Sequence, residues 1–438
     1  MTAVHPHDRR MVAWLSLAQL ISWGSVYYVF ALIMAPIEQD LGLSRAQSSL
    51  GFSLALLAEG LLAYPVGRLI DRGHERLVMS GGSVLLGICL LLHSTVTTMT
   101  GFYAVWSGLG IGMAATLYTP VFAVMTRRFP DDFRRAIITM TFLGGLASTV
   151  FIPLSAWLIS HFGWRHALWC LAALHLLVCA PLHWFWLKNA PMQARQPRVD
   201  VLANAPSGAP TSAPTRAPAH IPAGATALKN RLLNDHLKDH LLSAPYLLIG
   251  LFVMLMMAAT AALPAHMVSL LRENGLSEAW AIAIPASIGV IQVLGRLLLF
   301  FFEHRFDQHT ANRLIPCLIP LGLMALLAAS WWGGGPGNGA IALVLLFVFL
   351  WGMGVGMLTI VRGTAMAQYV SREHVASLNG ALGIPLALAR AAAPIGLGLL
   401  WSEQSGYAHG LWVLLGLSWV GVAALVLAQR LSRLRQEP

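Results

Sequence analysis

Apolar residues in this chain come in long unbroken blocks parted by short polar stretches. The blocks run roughly over 11–35, 47–70, 77–97, 102–126, 136–160 and 165–187, then over 246–271, 278–302, 313–331, 339–365, 377–400 and 407–429. Each is near the about 20 residues that a helix needs to cross a hydrocarbon layer of about 30 Å. Continuous blocks predict helices, because the strands of a membrane barrel alternate apolar and polar positions in shorter runs. The pattern therefore predicts an all-α membrane protein with twelve transmembrane helices.

Composition strengthens this picture. The 438 residues are 57% hydrophobic and 11% charged, whereas a soluble domain carries about a quarter charged residues. Forty glycines suit helices that pack closely in a bilayer. Cys89, Cys170, Cys179 and Cys317 lie in or beside apolar blocks without metal-ligand spacing and read as small packing residues. The opening "MTAVHPHDRR" leads into the first block without a small-residue cleavage site, so a retained first span is expected.

The stretch between the sixth and seventh blocks has another character. "APMQARQPRVDVLANAPSGAPTSAPTRAPAHIPAGA" has no apolar periodicity and is rich in Pro, Ala, Ser and Gly, the composition of a flexible linker. The "LKNRLLNDHLKDHLL" that follows reads either as a helix lying on the membrane surface or as a polar lead into span seven. Residues 1–188 form a first six-helix bundle, 189–243 a linker and 244–438 a second bundle. The two halves repeat each other. "SGLGIGMAATLYTP" in span four matches "LWGMGVGMLTIVRGT" in span ten, pairing Gly110 with Gly354 and Tyr118 with Arg362. "VGRLI" at 66–70 matches "LGRLL" at 294–298, and "FIPLSAWLI" in span five matches "AAPIGLGLL" in span eleven. Parallel six-span repeats place a transport site between the halves.

Charge sets the orientation. Of the 28 Lys and Arg, only Arg45, Arg165 and Arg272 fall on the side away from the termini, while Arg390 lies inside span eleven. The positive-inside bias puts both termini and the linker in the cytoplasm. It also accounts for the net charge of +10 without a nucleic-acid partner.

"GRLIDRGHERL" at 67–77 resembles the loop 2–3 signature of the major facilitator superfamily, G-x-L-x-D-R-x-G-x-[RK]-[RK]. Gly67, Leu69, Asp71, Arg72 and Arg76 fit it, while Gly73 stands one place early. The resemblance extends over the chain through the twelve spans, the six-plus-six repeat and "FGWRHAL" after span five. The stretch from "TRRFPDDFRR" to "FGWRHAL", together with "MVSLLRENGLS", resembles the bacterial monocarboxylate and oxalate/formate branch. The resemblance implies the major facilitator fold in a bacterial inner membrane, acting as a monomer by alternating access. It also implies a conformational latch at Gly67, Asp71, Arg72 and Arg76, with Asp71 pairing a nearby arginine or facing a helix N-terminus. The alternative reading of that cluster is a topology signal alone.

Ionisable groups inside spans are costly and usually functional. Glu59 lies near the middle of span two and is the candidate proton-coupling acid, or else an acid paired for packing. Arg362 in span ten is the favoured substrate ligand, since spans one, four, seven and ten line the central cavity in this superfamily. A guanidinium there suits a carboxylate through two parallel hydrogen bonds, although Arg362 sits late enough to snorkel. Arg390 is too deep in span eleven to snorkel, and pairs a substrate, a carbonyl or another helix. Arg296 reads as structural or substrate-facing. Four residues before it stands Gln292, where eukaryotic monocarboxylate carriers have the aspartate of a D-x-x-x-R pair. Gln19, Trp23 and Tyr27 are spaced to share one helical face, a candidate polar-aromatic wall. His266 and Tyr118 complete the candidate ligands.

No phosphate loop, HExxH, CxxC pair or GxSxG is present, so neither enzyme chemistry nor a cofactor is expected. The sequence predicts a secondary transporter for a small organic anion, a carboxylate foremost, with protons as a coupling ion. The alternatives are proton-antiport efflux of amphipathic drugs and a membrane receptor without transport.

Overall fold

The computed structural model describes residues 6–128, 133–188, 241–302, 307–331, 338–371 and 375–434. Most of the predicted linker and surface helix therefore lies outside the described residues. We number the spans in chain order. Helix α1 comprises Pro6–Ser22, a π-helical turn Trp23–Tyr28 and Phe30–Leu41. Then follow α2 (Arg45–Asp71), α3 (Glu75–Ser94) and α4 (Met99–Thr116 with Tyr118–Arg128). Helix α5 begins as Phe133–Gly145 and continues from Ala147 to a break at Gly163; α6 runs on from there through a second π-turn, Leu174–Cys179, to Trp186. The second half holds α7 (Ala244–Glu273), α8 (Glu278–Phe302), α9 (Gln308–Trp331), α10 (Asn338–Tyr369), α11 (Val375–Ala381 with Gly383–Leu399) and α12 (Ala408–Leu434).

Local chemistry sets these boundaries. Gly42, at φ +62°, ends α1 in the left-handed region that glycine favours. Ser44 and Gln47 then start α2 with a reciprocal capping box. Gly163, at φ +77° and ψ 159°, parts α5 from α6. The tryptophan and arginine after it fasten α6 to the first span: Trp164 Nε1 donates to Asp40 at 2.9 Å and Arg165 pairs with Asp40 at 3.5 Å. That is what "FGWRHAL" does in this fold.

Each half packs around its own apolar core. One is centred on Phe30, Phe52, Phe102 and Trp106, and the other on Phe252, Phe347 and Trp351. Large apolar side chains such as Leu61, Leu177, Phe185 and Leu399 point outward. That is costly in water and natural against lipid. The halves meet where α2 packs on α11 and α5 packs on α8.

Glycine contacts reveal how the halves correspond. A side chain at Gly110 would strike Ala55 O of α2 at 2.3 Å, and one at Gly356 would strike Gln292 O of α8 at 2.3 Å. Likewise Gly108 faces Cys89 of α3, and Gly354 faces Ile319 of α9. Gly110 thus corresponds to Gly356 rather than Gly354, and Ala55 to Gln292. The glycine-rich text of α10 reads equally well two residues apart, and backbone contact removes the ambiguity. Four residues further along each helix, Glu59 corresponds to Arg296, so the likeness of "VGRLI" at 66–70 to "LGRLL" at 294–298 is not a structural correspondence.

Candidate functional site

Between the halves lies a cavity of about 1020 Å³. Two ends of the bundle are distinguished below. The terminal end carries the start of α1; the distal end carries the loops after α1, α7 and α11. Exposed Phe142 and Phe301 stand on the cavity's rim toward the terminal end.

Glu59 lies about 21 Å along α2 from Arg45, at 1.5 Å per residue, and so sits near mid-helix. It is not alone. Arg390 of α11 reaches across from the other half and places a guanidinium nitrogen 3.2 Å from its carboxylate. The two side chains are only 12% and 20% exposed. Close backbone approach makes this reach feasible, since Gly60, next to Glu59, packs directly on Ala387, three residues before Arg390.

Arg362 of α10 lines the same cavity and does not snorkel away. Its guanidinium contacts the thioether of Met257 at 3.2 Å, a weak acceptor for an ionised donor. Arg296 is held differently, donating to Gly356 O at 3.3 Å and, across the halves, to Thr141 O at 2.9 Å. It is a strut between α8, α10 and α5 that also borders the cavity. Among the described residues, the charged lining is Glu59 against Arg296, Arg362 and Arg390. The lining thus carries a net positive charge.

The opposite wall is aromatic. Trp23 lies 4.9 Å from Tyr118, and Tyr118 stacks on Phe122 at 5.2 Å with ring planes 14° apart. Tyr27 meets the edge of Trp23 at 5.1 Å. Tyr118 has room because Gly144 of α5 faces it: a side chain there would lie 2.4 Å from its hydroxyl. Gln292 also lines the cavity.

Two expected ligands are elsewhere. Gln19 is fully buried and donates to Thr116 O at 2.5 Å, where α4 breaks before Tyr118. Gln19 is thus turned to the α4 backbone and does not line the cavity that Trp23 and Tyr27 border. His266 is buried at the seal of the distal end and not in the cavity. Its Nε2 lies 3.0 Å from Pro394 O, and its Nδ1 lies 3.0 Å from the Tyr407 hydroxyl. One neutral tautomer satisfies both, with Nε2–H donating to the carbonyl and Tyr407 donating to Nδ1.

That histidine belongs to a cluster that sequence reading missed. Arg45, at the start of α2, pairs with Glu273 of α7 at 3.3 Å, donates to the Tyr407 hydroxyl at 3.2 Å and lies 5.0 Å over the Trp401 ring. All three partners are in the other half. Within its own half Arg45 pairs with Glu38 at 3.5 Å. Trp401 Nε1 donates to Glu273 at 3.0 Å, and Ser53 of α2 accepts from Ile395 N at 3.1 Å. These contacts close the distal end. At the terminal end, Asp71 and Arg72 are exposed, while Arg76 donates to Trp184 O at 2.8 Å and lies 3.6 Å over the Trp184 ring, in its own half. Gly67 packs against nothing nearby. Residues 129–132 of the loop after α4 lie outside the described residues.

Comparison with known proteins agrees with this architecture. The chain is 37% identical over 124 residues to Monocarboxylate transporter 13 of Bos taurus, covering 27% of this chain and 28% of that protein. It is 31% identical over 173 residues to the Multidrug resistance protein MdtL of Escherichia coli (strain K12 / DH10B), covering 37% of this chain and 42% of that protein. The chain therefore aligns with less than half the length of either relative. Among solved structures, a bacterial homologue of the human lysosomal transporter Spinster, in an inward-facing and occupied conformation, superposes over 98% of both chains with a TM-score of 0.70 at 14% identity. A mutant of the nucleoside transporter NupG matches over 96% of this chain and 99% of its own, with a TM-score of 0.69 at 16% identity. The description that matches most of the sequence, residues 15–394, is that of the Major Facilitator Superfamily. With its helical architecture and a cavity between two repeated halves, the chain belongs to that superfamily and is a multi-pass membrane transporter, not an enzyme.

Proposed function

We propose that this transporter carries an organic carboxylate by alternating access, coupled to protons, in a bacterial inner membrane with both termini in the cytoplasm. The observation that carries the reading is the cavity's charge arrangement. One acid, Glu59, occupies Arg390, and Arg362 faces only a thioether. An anion entering this site meets Arg362, whose guanidinium has neither a carboxylate nor a carbonyl partner among the described residues. Protonating the Glu59 carboxyl removes the charge that holds Arg390 and gives the incoming carboxylate a second guanidinium. The substrate's negative charge then replaces that of Glu59, so one proton and one carboxylate travel together without net charge. In the orientation set by the lysines and arginines, the closed distal end faces outward and the cavity opens to the cytoplasm.

A second reading, efflux of amphipathic compounds, draws support from the cavity's size and the similarity to MdtL. The cationic lining disfavours the cationic members of that class. The test is uptake of labelled carboxylates into proteoliposomes under an imposed pH gradient. Accumulation that collapses when the gradient is dissipated supports coupled carboxylate transport. Transport of lipophilic cations in exchange for protons, with no carboxylate flux, would replace it with the efflux reading.

A further inference from the structure

The two walls of the cavity differ in chemistry, and the difference describes a ligand. On the second-half wall stand Arg362 and Arg390. On the first-half wall stand Trp23, Tyr118 and Phe122, with successive ring centroids 4.9 and 5.2 Å apart. Tyr118 and Phe122 are only partly buried, so their rings still present surface to the cavity. A two- or three-carbon acid fills roughly 100–200 Å³ on a scale of about 30 Å³ per water molecule. The cavity holds about 1020 Å³, at the upper end of sites that enclose drug-sized ligands of about 300–1,000 Å³.

From this pairing we infer that the transported anion is an aryl or arylalkyl carboxylate, its carboxylate on the guanidiniums of Arg362 and Arg390 and its ring on the Tyr118–Phe122 stack. The inference rests on the carboxylate reading above and narrows it. The geometry of the stack is suited to the role. Aromatic pairs prefer offset or edge contacts at centroid separations of about 4.5–7 Å, and a substrate ring set beside the nearly parallel Tyr118–Phe122 pair makes contacts of the same kind. The wall is also built to stay in place. Gly144 leaves the space in which the Tyr118 hydroxyl end sits, and the break of α4 after Leu117, held by Gln19 on Thr116 O, aims Tyr118 from the first turn of the following segment. A site for a small aliphatic acid needs the cations but not this wall.

The test measures binding to the full-length protein in lipid nanodiscs for benzoate, 3-phenylpropionate, acetate, propionate and the neutral phenylacetamide. The expected order places both aryl carboxylates at least about tenfold above acetate and propionate, with phenylacetamide weaker than the aryl acids because it lacks the charge. Phe122→Leu is expected to weaken the aryl acids by about two- to tenfold, the range of one aromatic contact, and to leave the aliphatic acids within about twofold. Equal affinity for aryl and aliphatic acids in the wild-type protein overturns the inference and leaves carboxylate transport standing. Binding of phenylacetamide alone, with none of the acids, overturns both. The wild-type comparison decides the matter even if Phe122→Leu does not yield folded protein.

Discussion

Substituting Arg45 by alanine tests whether the distal cluster sets the conformation of the carrier. Only contacts that cross between halves count toward the equilibrium, so the pair with Glu38 is left aside. The pair with Glu273, at 3.3 Å between side chains 13% and 31% exposed, contributes about 0.5–1 kcal/mol at such partial exposure. The hydrogen bond to Tyr407 at 3.2 Å adds about 0.5–1.5 kcal/mol. The cation over Trp401 at 5.0 Å adds about 0.5–1 kcal/mol. Together these give about 1.5–3.5 kcal/mol, which lowers the ratio of closed to open distal ends by about tenfold to a few hundredfold. Spin labels on exposed Gln39 and Gln404, one in each half, report the opening as a longer distance by double electron–electron resonance. They are placed in a background with the four native cysteines replaced. A distance distribution in Arg45→Ala that matches the parent protein would refute the assignment of Arg45 as the clasp.

Other expectations follow from the same contacts. Tyr407→Phe keeps the ring but removes the hydroxyl between Arg45 and His266, so it should shift the same distance distribution in the same direction as Arg45→Ala and by less. Glu59→Gln should abolish accumulation driven by a pH gradient while leaving exchange of labelled for unlabelled substrate, and unchanged gradient-driven uptake in vesicles would remove Glu59 from coupling. Arg362→Ala should weaken binding of the best carboxylate about tenfold to a hundredfold, the worth of a charge-assisted bond of about 1.5–3 kcal/mol. Arg362→Lys should recover part of it, since an ammonium lacks the planar fork; calorimetry in detergent compares the two. Gly356→Ala should lower the yield of monodisperse protein, because the new methyl would meet backbone atoms of α8 at 2.3–2.9 Å that cannot move as a side chain can.

The spans were legible because a bilayer imposes one simple demand, an apolar helix of sufficient length, and the sequence meets it openly. Ionised groups inside those spans were equally legible, and Glu59, Arg296, Arg362 and Arg390 all border the cavity. Their pairing was not. Glu59 and Arg390 are 331 residues apart, and nothing local to either names the other. Gln19 was misplaced because its partner, the carbonyl of Thr116 where α4 breaks, is 97 residues away and nothing local to Gln19 names it. His266 was assigned to the cavity as a lone polar group, whereas its three polar neighbours, Ser49, Pro394 O and Tyr407, come from three other segments. Arg45 was read only as a topology charge. The usable signal was that Arg45 and Glu273 close corresponding distal loops in the two halves with opposite charge.

The cavity's excess of cations has an electrical consequence. With Glu59 neutralising one of the three arginines, the empty site holds about two positive charges that shift relative to the membrane as the halves rock. Moving one charge through the whole potential is worth about 2.3 kcal/mol per 100 mV. If rocking carries the site through only about a tenth of the field, two charges still contribute roughly 0.5 kcal/mol per 100 mV. A membrane negative on the side of the termini therefore draws the site toward that side, and under the proposed coupling a carboxylate that binds with a proton on Glu59 leaves this charge unchanged. Under that coupling voltage acts alike on the loaded and the unloaded carrier, and an energised membrane biases the rocking step itself.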